Sequence, residues 1–176
     1  MKNVKIDNII YKIKLFDTAG SENYRSLITS YFKNSTCAFI MYDISRKKSF
    51  YNISTWINDI DTYCPKKCFK ILIGNKNDLE NRKVNIEEGE ELAEKYDMKF
   101  FETSALTEYN VEEAFIEAYN TIHGKIKKGK IEELSGVTET KGTGENKHTL
   151  KVYHYSPKNN KNYKKEKEKG MEEEED

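Results

Sequence analysis

The stretch CAFIMYDIS, Cys37–Ser45, decides the fold class because it is apolar at nearly every position. A strand with one solvated face alternates apolar and polar residues, whereas a continuous apolar run of this length is typical of a strand buried on both faces. The run FKILIG, Phe69–Gly74, has the same character. The sequence therefore predicts a sheet that is covered by helices on both sides.

Helical patterns alternate with these strands along the chain. Helices are predicted after the first run, over 85–97 and over 110–126, and a further short strand is predicted at MKFFETSA, 98–105. The residues expected to face inward are Phe50, Ile53, Trp56, Ile57 and Ile60, then Ile86, Leu92 and Ala93, then Val111, Ala114, Phe115, Ala118 and Ile122. The order strand, helix, strand, helix predicts parallel strands joined by crossover helices in a doubly wound α/β sheet.

Two helix starts carry residues that favour capping. Ser49 lies near the start of the first helix, where a hydroxyl is a preferred cap. Asn110 precedes the last helix and Glu113 follows three residues later, which is the spacing of a capping box. We expect both positions to satisfy free backbone N–H groups.

The N-terminal part predicts a hairpin that leads into a functional motif. NVKID and IYKIKLFD alternate polar and apolar residues, and Asp7–Asn8 between them is a turn signal. The second strand runs into DTAG, Asp17–Gly20. Taken alone, DTAG is also compatible with an ordinary β-turn.

Composition divides the chain in two. Lys plus Arg and Asp plus Glu both number 30, so net charge gives no indication of nucleic-acid binding. Beyond about Lys127 the helical and strand patterns stop, and Ser, Gly, Thr, Lys and Asn dominate. LKVYHYS, Leu150–Ser156, could form a short extended piece, but the composition favours disorder. We therefore predict a folded domain over 1–127 and a disordered charged tail over 128–176.

The three cysteines and the N-terminus predict a location in a reducing compartment. An odd number of cysteines without a secretory signal argues against a disulfide framework. Cys64 and Cys68 alone are too few for a zinc site. No apolar run approaches the length that a membrane-spanning helix needs.

Three strands end in motifs that suit nucleotide chemistry: DTAG, NKND (Asn75–Asp78) and ETSA (Glu102–Ala105). Because ligands of open parallel sheets bind beyond the carboxyl ends of the strands, these loops are expected to meet at one edge. Asp17 offers the carboxylate oxygen that Mg²⁺ prefers. Gly20 lets its backbone N–H approach a phosphate closely, because no Cβ intervenes.

The other two loops are suited to reading a guanine base. Asp78 is an acceptor-only carboxylate that can take two parallel hydrogen bonds from the ring N–H and exocyclic amine of guanine, a donor pair that adenine lacks. Lys76 can lay its methylene stem along the base. Asn75 can tie the loops together, and the backbone N–H of Ala105 can donate to the guanine carbonyl. Each motif alone is weak, but their order after successive strands is specific.

Together these motifs resemble the small GTPases of the Ras superfamily, and among them the Rab family. The resemblance covers about residues 2–127 and rests on DTAGSENYRSLITSYFKNS, FIMYDIS, GNKNDLENRKV and FFETSA. It leans toward the Rab subfamily associated with endoplasmic reticulum and lipid droplets. It implies a P-loop NTPase-like, three-layer, mostly parallel sheet and a GTP-dependent switch in vesicle transport.

The resemblance also implies ligands and roles for particular residues. The implied cofactors are GTP or GDP and Mg²⁺, and the implied partners are Rab-type effectors and exchange factors. Asp17 is placed at the metal and Gly20 at the γ-phosphate, and the guanine readers are Asn75, Lys76, Asp78, Ser104 and Ala105. A partner surface is assigned to Tyr24, Arg25, Tyr31 and Phe32, for which core packing is the alternative. We expect a cytoplasmic monomer that reaches endomembranes through partners.

Four departures from the family pattern bear on these expectations. This sequence has no counterpart of the family's first strand, its P-loop G-x-x-x-x-G-K-[ST], its first helix or its first switch. The sheet is therefore expected to lack a central strand, and GTP is expected to bind weakly. Ser21 stands where the family usually has a water-positioning Gln, so hydrolysis is expected to be slow. Leu106 replaces a usual Lys. No cysteine for prenylation lies near the terminal EEEED.

Two hypotheses of function stay open at this point. One is a Rab-like GTPase of which this chain is an incomplete version. The other is a nucleotide-free protein that works as an interaction module through its switch-like surface.

Overall fold

The computed structural model describes residues 2–7, 9–19, 32, 35–64, 68–128, 138–142 and 145–156. Its strands are β1 (Lys2–Ile6), β2 (Ile9–Ala19), β3 (Cys37–Asp43), β4 (Phe69–Asn75), β5 (Lys99–Thr103), β6 (Thr138–Gly142) and β7 (Glu145–Ser156). Its helices are α1 (Lys47–Tyr51), α2 (Ile53–Tyr63), α3 (Ile86–Lys95) and α4 (Val111–Lys127). No helix in this described part is long and apolar enough to cross a bilayer.

The N-terminal hairpin is confirmed. β1 and β2 pair antiparallel, with Lys2 opposite Ile13 and Ile6 opposite Ile9. Asp7 in the connection has φ of 52°, in the left-handed region that Asp tolerates better than most residues.

The parallel sheet with helices on both faces is also confirmed. β3, β4 and β5 pair in parallel, and Asp43, Asn75 and Thr103 lie side by side at their carboxyl ends. Successive β3 side chains enter opposite cores, so that Ile40 packs in the first core and Phe39 in the second. This arrangement explains why the strand reads as a continuous apolar run.

The two cores lie on opposite faces of the sheet. The first contains α2 and α3 side chains, including Trp56, Ile57 and Ala93. The second contains the inward face of α4, including Ala118 and Ile122. The helices therefore cover both faces of the sheet. The residues that the sequence predicts to face inward are buried or half-buried, except for Ile86, which is 43% exposed.

The centre of the sheet departs from expectation because β7 lies there. The strand order is β1-β2-β7-β3-β4-β5, with β6 paired to β7. β7 runs parallel to β2 from the pair Ile10–Lys147 to Ala19–Ser156. It also runs parallel to β3, from Cys37–Val152 to Ile40–Tyr155. The position where the resemblance implied a missing strand is thus filled by a strand from the C-terminal part of the chain.

The expectation of a disordered tail is therefore wrong for β6 and β7. Composition favoured disorder because 138–156 is polar, yet ENKHTLKVYHYS also contains the strand formers Thr149, Val152, Tyr153 and Tyr155. Backbone ladders with β2 and β3 add long-range hydrogen bonds that composition cannot indicate. The division of the chain at residue 127 stays a prediction.

The cap predicted at Ser49 is wrong, whereas Asn110 is the N-cap residue of α4 as predicted, without the predicted side-chain hydrogen bond. Ser49 lies inside α1, and its hydroxyl donates to the carbonyl of Arg46 at 2.6 Å instead of accepting from the first turn. Asn110 has φ of 53° and no capping hydrogen bond. A capping box does form at the start of α3, where the Glu88 carboxylate accepts from the N–H of Asn85 at 2.9 Å.

Tyr42 on β3 generates a test of the packing. Its side chain is fully buried, and its hydroxyl has no hydrogen-bond partner among the described residues. A buried unpaired hydroxyl costs about 1–3 kcal/mol of desolvation. We therefore expect Tyr42→Phe to raise the free energy of unfolding by about 1 kcal/mol, measured by urea denaturation at pH 7.

Tyr11 provides the matched control. It is equally buried, but its hydroxyl is 2.6 Å from Nδ1 of His123. Tyr11→Phe should therefore lower stability, by about 1 kcal/mol. Equal losses in both variants would mean that the Tyr42 hydroxyl has a partner, such as a buried water.

Candidate functional site

The carboxyl ends of the parallel strands gather polar residues at one edge of the sheet. Asp43 ends β3, Asn75 ends β4 and Thr103 ends β5, and the register places these three side by side. The loops that follow β4 and β5 begin here. This edge is where open α/β sheets bind their ligands.

Asn75 joins the two loops. Its Oδ1 accepts from the Thr103 hydroxyl at 3.3 Å and from the backbone N–H of Ala105 at 3.4 Å. The second of these bonds is long, so the N–H of Ala105 is only weakly engaged. Ala105 itself is exposed. The loop-tying role predicted for Asn75 is therefore seen in the structure.

Asp78 is held by Ser104. The Ser104 side chain is fully buried, and its hydroxyl donates to Oδ1 of Asp78 at 2.5 Å. The same hydroxyl accepts from the backbone N–H groups of Leu106 and Thr107 at 3.2 and 3.1 Å. Asp78 is exposed. Because a carboxylate has about four lone-pair sites, this bond leaves capacity for two further donors from solvent or a ligand.

Lys76 is anchored to a buried carboxylate. Its backbone has φ of 69°, and its Nζ lies 2.7 Å from Oδ2 of Asp43. Oδ1 of Asp43 accepts from the backbone N–H and hydroxyl of Ser45 at 2.9 and 2.6 Å. The ion pair fixes the tip of the lysine, which restrains its methylene stem across the loop.

These contacts determine the charge state of Asp43. Burial by itself would raise the pKa of this carboxyl, but the hydrogen bonds from Lys76 and Ser45 outweigh it and hold the pKa below its usual value. Asp43 is therefore ionised at neutral pH. Sequence reasoning did not assign it a role; the only signal was an acidic residue at the end of an otherwise apolar strand, with Ser two residues later.

A second buried carboxylate supports the end of β5. Arg82 makes a two-bond ion pair with Glu102, at 2.5 and 2.8 Å, and also donates to the carbonyl of Val84 at 3.0 Å. The pairing with Glu102 raises the pKa of Arg82. The Asn110 amide donates to the carbonyl of Glu102 at 3.1 Å. These contacts hold Glu102, which lies two residues before Ser104 in the chain. The sequence did not indicate this role of Glu102.

Asp17 lies on the other side of β7. It is exposed near the carboxyl end of β2, opposite His154 of β7. Two strand spacings separate β2 from β3, which is about 10 Å. The described residues contain no group of three or more His, Cys, Asp or Glu arranged to hold a metal. A single carboxylate still suits Mg²⁺, which keeps several waters and takes oxygens from substrate phosphates.

The remaining candidates fall into two groups. Gly20, Ser21, Tyr24, Arg25 and Tyr31 lie outside the described residues. Phe32 is 3% exposed and packs in the first core. Its assignment to a partner surface is therefore wrong in this structure, because a buried ring in the core cannot contact a partner.

Comparison with known proteins identifies similar chains. Residues 1–124 match the model of the Ras family. The chain is 43% identical over 116 residues to the Ras-related protein Rab-15 of Homo sapiens and to that of Rattus norvegicus, an alignment that covers 65% of this chain and 55% of each relative. It is 38% identical over 133 residues to the GTP-binding protein ypt2 of Schizosaccharomyces pombe, which covers 75% of this chain and 64% of that protein. The chain thus spans about half the length of the Rab-15 relatives.

The Asp43–Lys76 pair predicts a pH dependence. A carboxyl whose folded pKa lies below its unfolded value contributes stability above the unfolded pKa and loses it as pH falls through the folded pKa. Asp43→Asn should therefore be less stable than the native chain at pH 7. The difference should shrink below about pH 4, the ordinary range of Asp titration. Urea denaturation at pH 7 and at successively lower pH measures both.

Asp61→Asn is the matched control. Asp61 pairs with Lys70 at 2.6 Å, but its side chain is 56% exposed. An exposed pair contributes little, so this variant should stay within about 1 kcal/mol of the native chain at both pH values. If both variants behave alike, the Asp43–Lys76 pair does not stabilise the loop.

Proposed function

Because the chain belongs to the Ras family and is a Rab-type small GTPase by similarity, we propose that it recognises guanine nucleotides through the loops that follow β4 and β5. The observation that carries this proposal is the hydrogen bond from the buried Ser104 hydroxyl to Asp78. It holds an exposed carboxylate in one orientation at the carboxyl edge of the sheet. Pre-orientation of an acceptor reduces the entropy that a ligand must overcome on binding.

The proposed base recognition divides among four residues. Asp78 accepts from the ring N–H and the exocyclic amine of guanine, and the backbone N–H of Ala105 donates to the guanine carbonyl. Lys76, anchored on Asp43, covers a face of the base with its stem. Asn75 keeps the two loops together. An adenine base would place a lone pair, not a donor, against the Asp78 carboxylate, and repulsion would exclude it.

The phosphate end is proposed from the family pattern. Asp17 is the residue that would hold Mg²⁺, which neutralises phosphate charge when bound. Gly20 is the residue whose N–H would meet the γ-phosphate. Ser21, in place of Gln, has too short a side chain to orient an attacking water in the same way. We therefore propose that hydrolysis of GTP to GDP and phosphate is slow unless another group positions the water.

The cellular role is proposed from the Rab relatives. It is a guanine-nucleotide-dependent switch in vesicle transport, with effectors and exchange factors as partners and endomembrane surfaces as the place of action. The partner-facing residues would be Tyr24, Arg25 and Tyr31. The alternative is a nucleotide-free protein that works as an interaction module.

Base recognition is tested by comparing how the chain binds GDP, ADP and xanthosine diphosphate (XDP), which differ in their base. Because only the base of the nucleotide is expected to be contacted, we expect dissociation constants on the order of millimolar. This corresponds to a binding free energy of about 4 kcal/mol. Titration followed by ¹⁵N–¹H NMR detects such binding. GDP should shift the amides of residues 75–79 and 104–107, and ADP should not. Equal shifts with GDP and ADP would contradict the proposal and favour the nucleotide-free alternative.

Asp78→Asn should move the preference from GDP toward XDP, because an amide donor then meets the additional oxygen of xanthine. The Asn oxygen can still accept from Ser104, so the loop is expected to keep its shape. Asp97→Asn is the matched control, since Asp97 is an exposed aspartate that precedes β5 at the other end of the sheet. An unchanged base preference in Asp78→Asn would mean that Asp78 does not read the base.

A further inference from the structure

A cavity of about 730 Å³ lies beside the amino ends of β4 and β5. Phe69 and Lys99, the first residues of these strands, are among the residues that line it. The candidate nucleotide site lies at the carboxyl ends of the same strands, so the two places are at opposite edges of the sheet. In the strand order, β3 stands between β4 and β7, so the cavity is also separate from β2 and β7.

Three sulfur-containing side chains line this cavity. Cys64 follows the last residue of α2, Cys68 precedes β4 and Met98 precedes β5. All three are buried and belong to the first core, and no disulfide joins the cysteines. Thiolates and thioethers are soft, polarisable ligands, which favour soft metal ions over Mg²⁺ or Ca²⁺. The fold thus places three soft ligands around one cavity.

The thiols of Cys64 and Cys68 interact directly. A hydrogen bond with Cys64, together with burial, raises the pKa of the Cys68 thiol well above its usual value. Each thiol also donates weakly to a carbonyl: Sγ of Cys64 to that of Ser35 at 3.8 Å, and Sγ of Cys68 to that of Phe69 at 3.7 Å. The two sulfur atoms are therefore neighbours at the wall of the cavity.

We propose that Cys64 and Cys68 bind one Cu⁺ ion as thiolates, with the thioether of Met98 as a weaker third ligand. Cu⁺ prefers sulfur and is stable with two or three ligands, whereas structural Zn²⁺ takes four. The part of the chain that the structure describes has no group of three or more His, Cys, Asp or Glu placed to hold a metal, which argues against zinc here. The inference does not depend on nucleotide binding.

Binding exchanges two protons for one metal ion. The S–H bond of each cysteine breaks, its proton goes to solvent and its electron pair forms the bond to copper. The metal enters and stays as Cu⁺, so no group is oxidised or reduced, and the two thiolates leave one negative charge in the cavity. Lys70 lines the same cavity and its charge acts to lower the pKa of Cys68, although its Nζ also lies 2.6 Å from Oδ1 of Asp61. The ammonium of Lys70 can therefore stabilise the negative centre.

Oxidation to a disulfide fits this pair of thiols less well. The thiolate is the form that attacks an oxidant, so a reactive cysteine has a low pKa and is accessible. Cys68 has the opposite properties, because it is buried and its pKa is raised. A metal ion differs from an oxidant in this respect, since the bond to the metal itself replaces the proton.

The test measures Cu⁺ binding to the full chain without oxygen, with ascorbate as reductant and bicinchoninate as a coloured competitor. The native chain should take one Cu⁺ ion from the bicinchoninate complex. X-ray absorption should show monovalent copper with two or three sulfur neighbours and no nitrogen or oxygen neighbour. A roughly tenfold excess of Zn²⁺ should leave the copper bound, because the cavity lacks the four ligands of a zinc site.

Matched variants locate the metal. Cys64→Ser and Cys68→Ser should each weaken binding more than about 100-fold, because even residues that only support a metal ligand contribute about 10- to 100-fold. Met98→Leu keeps the side-chain volume and should cost less, about tenfold. Cys37→Ser is the control and should bind like the native chain, since Cys37 is also buried but belongs to the second core, on the other face of the sheet. Urea denaturation of each metal-free variant reports whether it folds.

Amide shifts of the native chain make the test independent of the variants. Cu⁺ should shift the ¹⁵N–¹H signals of residues 60–64, 68–70 and 96–99, which surround the cavity. The signals of residues 104–107, at the opposite edge of the sheet, should stay in place.

Several results would overturn the proposal. Nitrogen or oxygen neighbours of the copper, or amide shifts confined to other parts of the chain, would place the metal elsewhere. Equal losses in Cys37→Ser and Cys64→Ser would show that copper binds thiols without selecting this cavity. Displacement of the copper by Zn²⁺ would assign the site to a different class of metal. A disulfide between Cys64 and Cys68 that hydrogen peroxide forms faster than it oxidises free cysteine would assign the pair to redox chemistry.

Discussion

The backbone ladder of β7 joins the two parts of the sheet. β2 and β3 do not pair with each other; each pairs with β7, which runs parallel to both. Through this strand the N-terminal hairpin and the β3-β4-β5 half become one sheet. The hairpin also joins the rest of the domain through the second core, to which Tyr11 and Ile13 contribute, and through contacts with α4 such as the hydrogen bond between Tyr11 and His123. Without β7, two strand edges in the middle of the sheet would have unpaired N–H and C=O groups, each costly when buried.

The same ladder sets the separation between Asp17 and the rest of the candidate site. It places Asp17 two strand spacings from Asp43, whereas Asn75, Asp78 and Ser104 depend on β4 and β5 alone. The loops proposed to read the base are held by three polar contacts, each with one buried partner: Asp43 with Lys76, Glu102 with Arg82, and Ser104 with Asp78. Asp17, the residue proposed to hold Mg²⁺, is placed by the pairing of β2 with β7.

Much of the fold and part of the site could be predicted from the sequence because local patterns determine them. Cys37–Asp43 is apolar at every position except its last, which indicates two covered faces, and the order of DTAG, NKND and ETSA after strands indicates one shared edge. The position of β7 could not be predicted, because pairing with β2 and β3 is a long-range property and the composition of 138–156 favours disorder. Phe32 has no periodic context that distinguishes a core ring from a surface one. The partners of Asp43 and Glu102 come from other loops, so their roles appear only when the chain is folded.

Backbone hydrogen–deuterium exchange on the full chain reports whether β7 lies at the centre of the sheet. If β7 is the central strand, the amides of Glu145–Ser156 exchange slowly, with protection comparable to that of Cys37–Asp43, because both strands are hydrogen-bonded within the same sheet. The amides of Ile9–Ala19 should be protected together with them. Exchange of Glu145–Ser156 at the rate of an unstructured peptide, while β3 and β4 remain protected, would contradict the account and leave β2 and β3 without the strand that joins them.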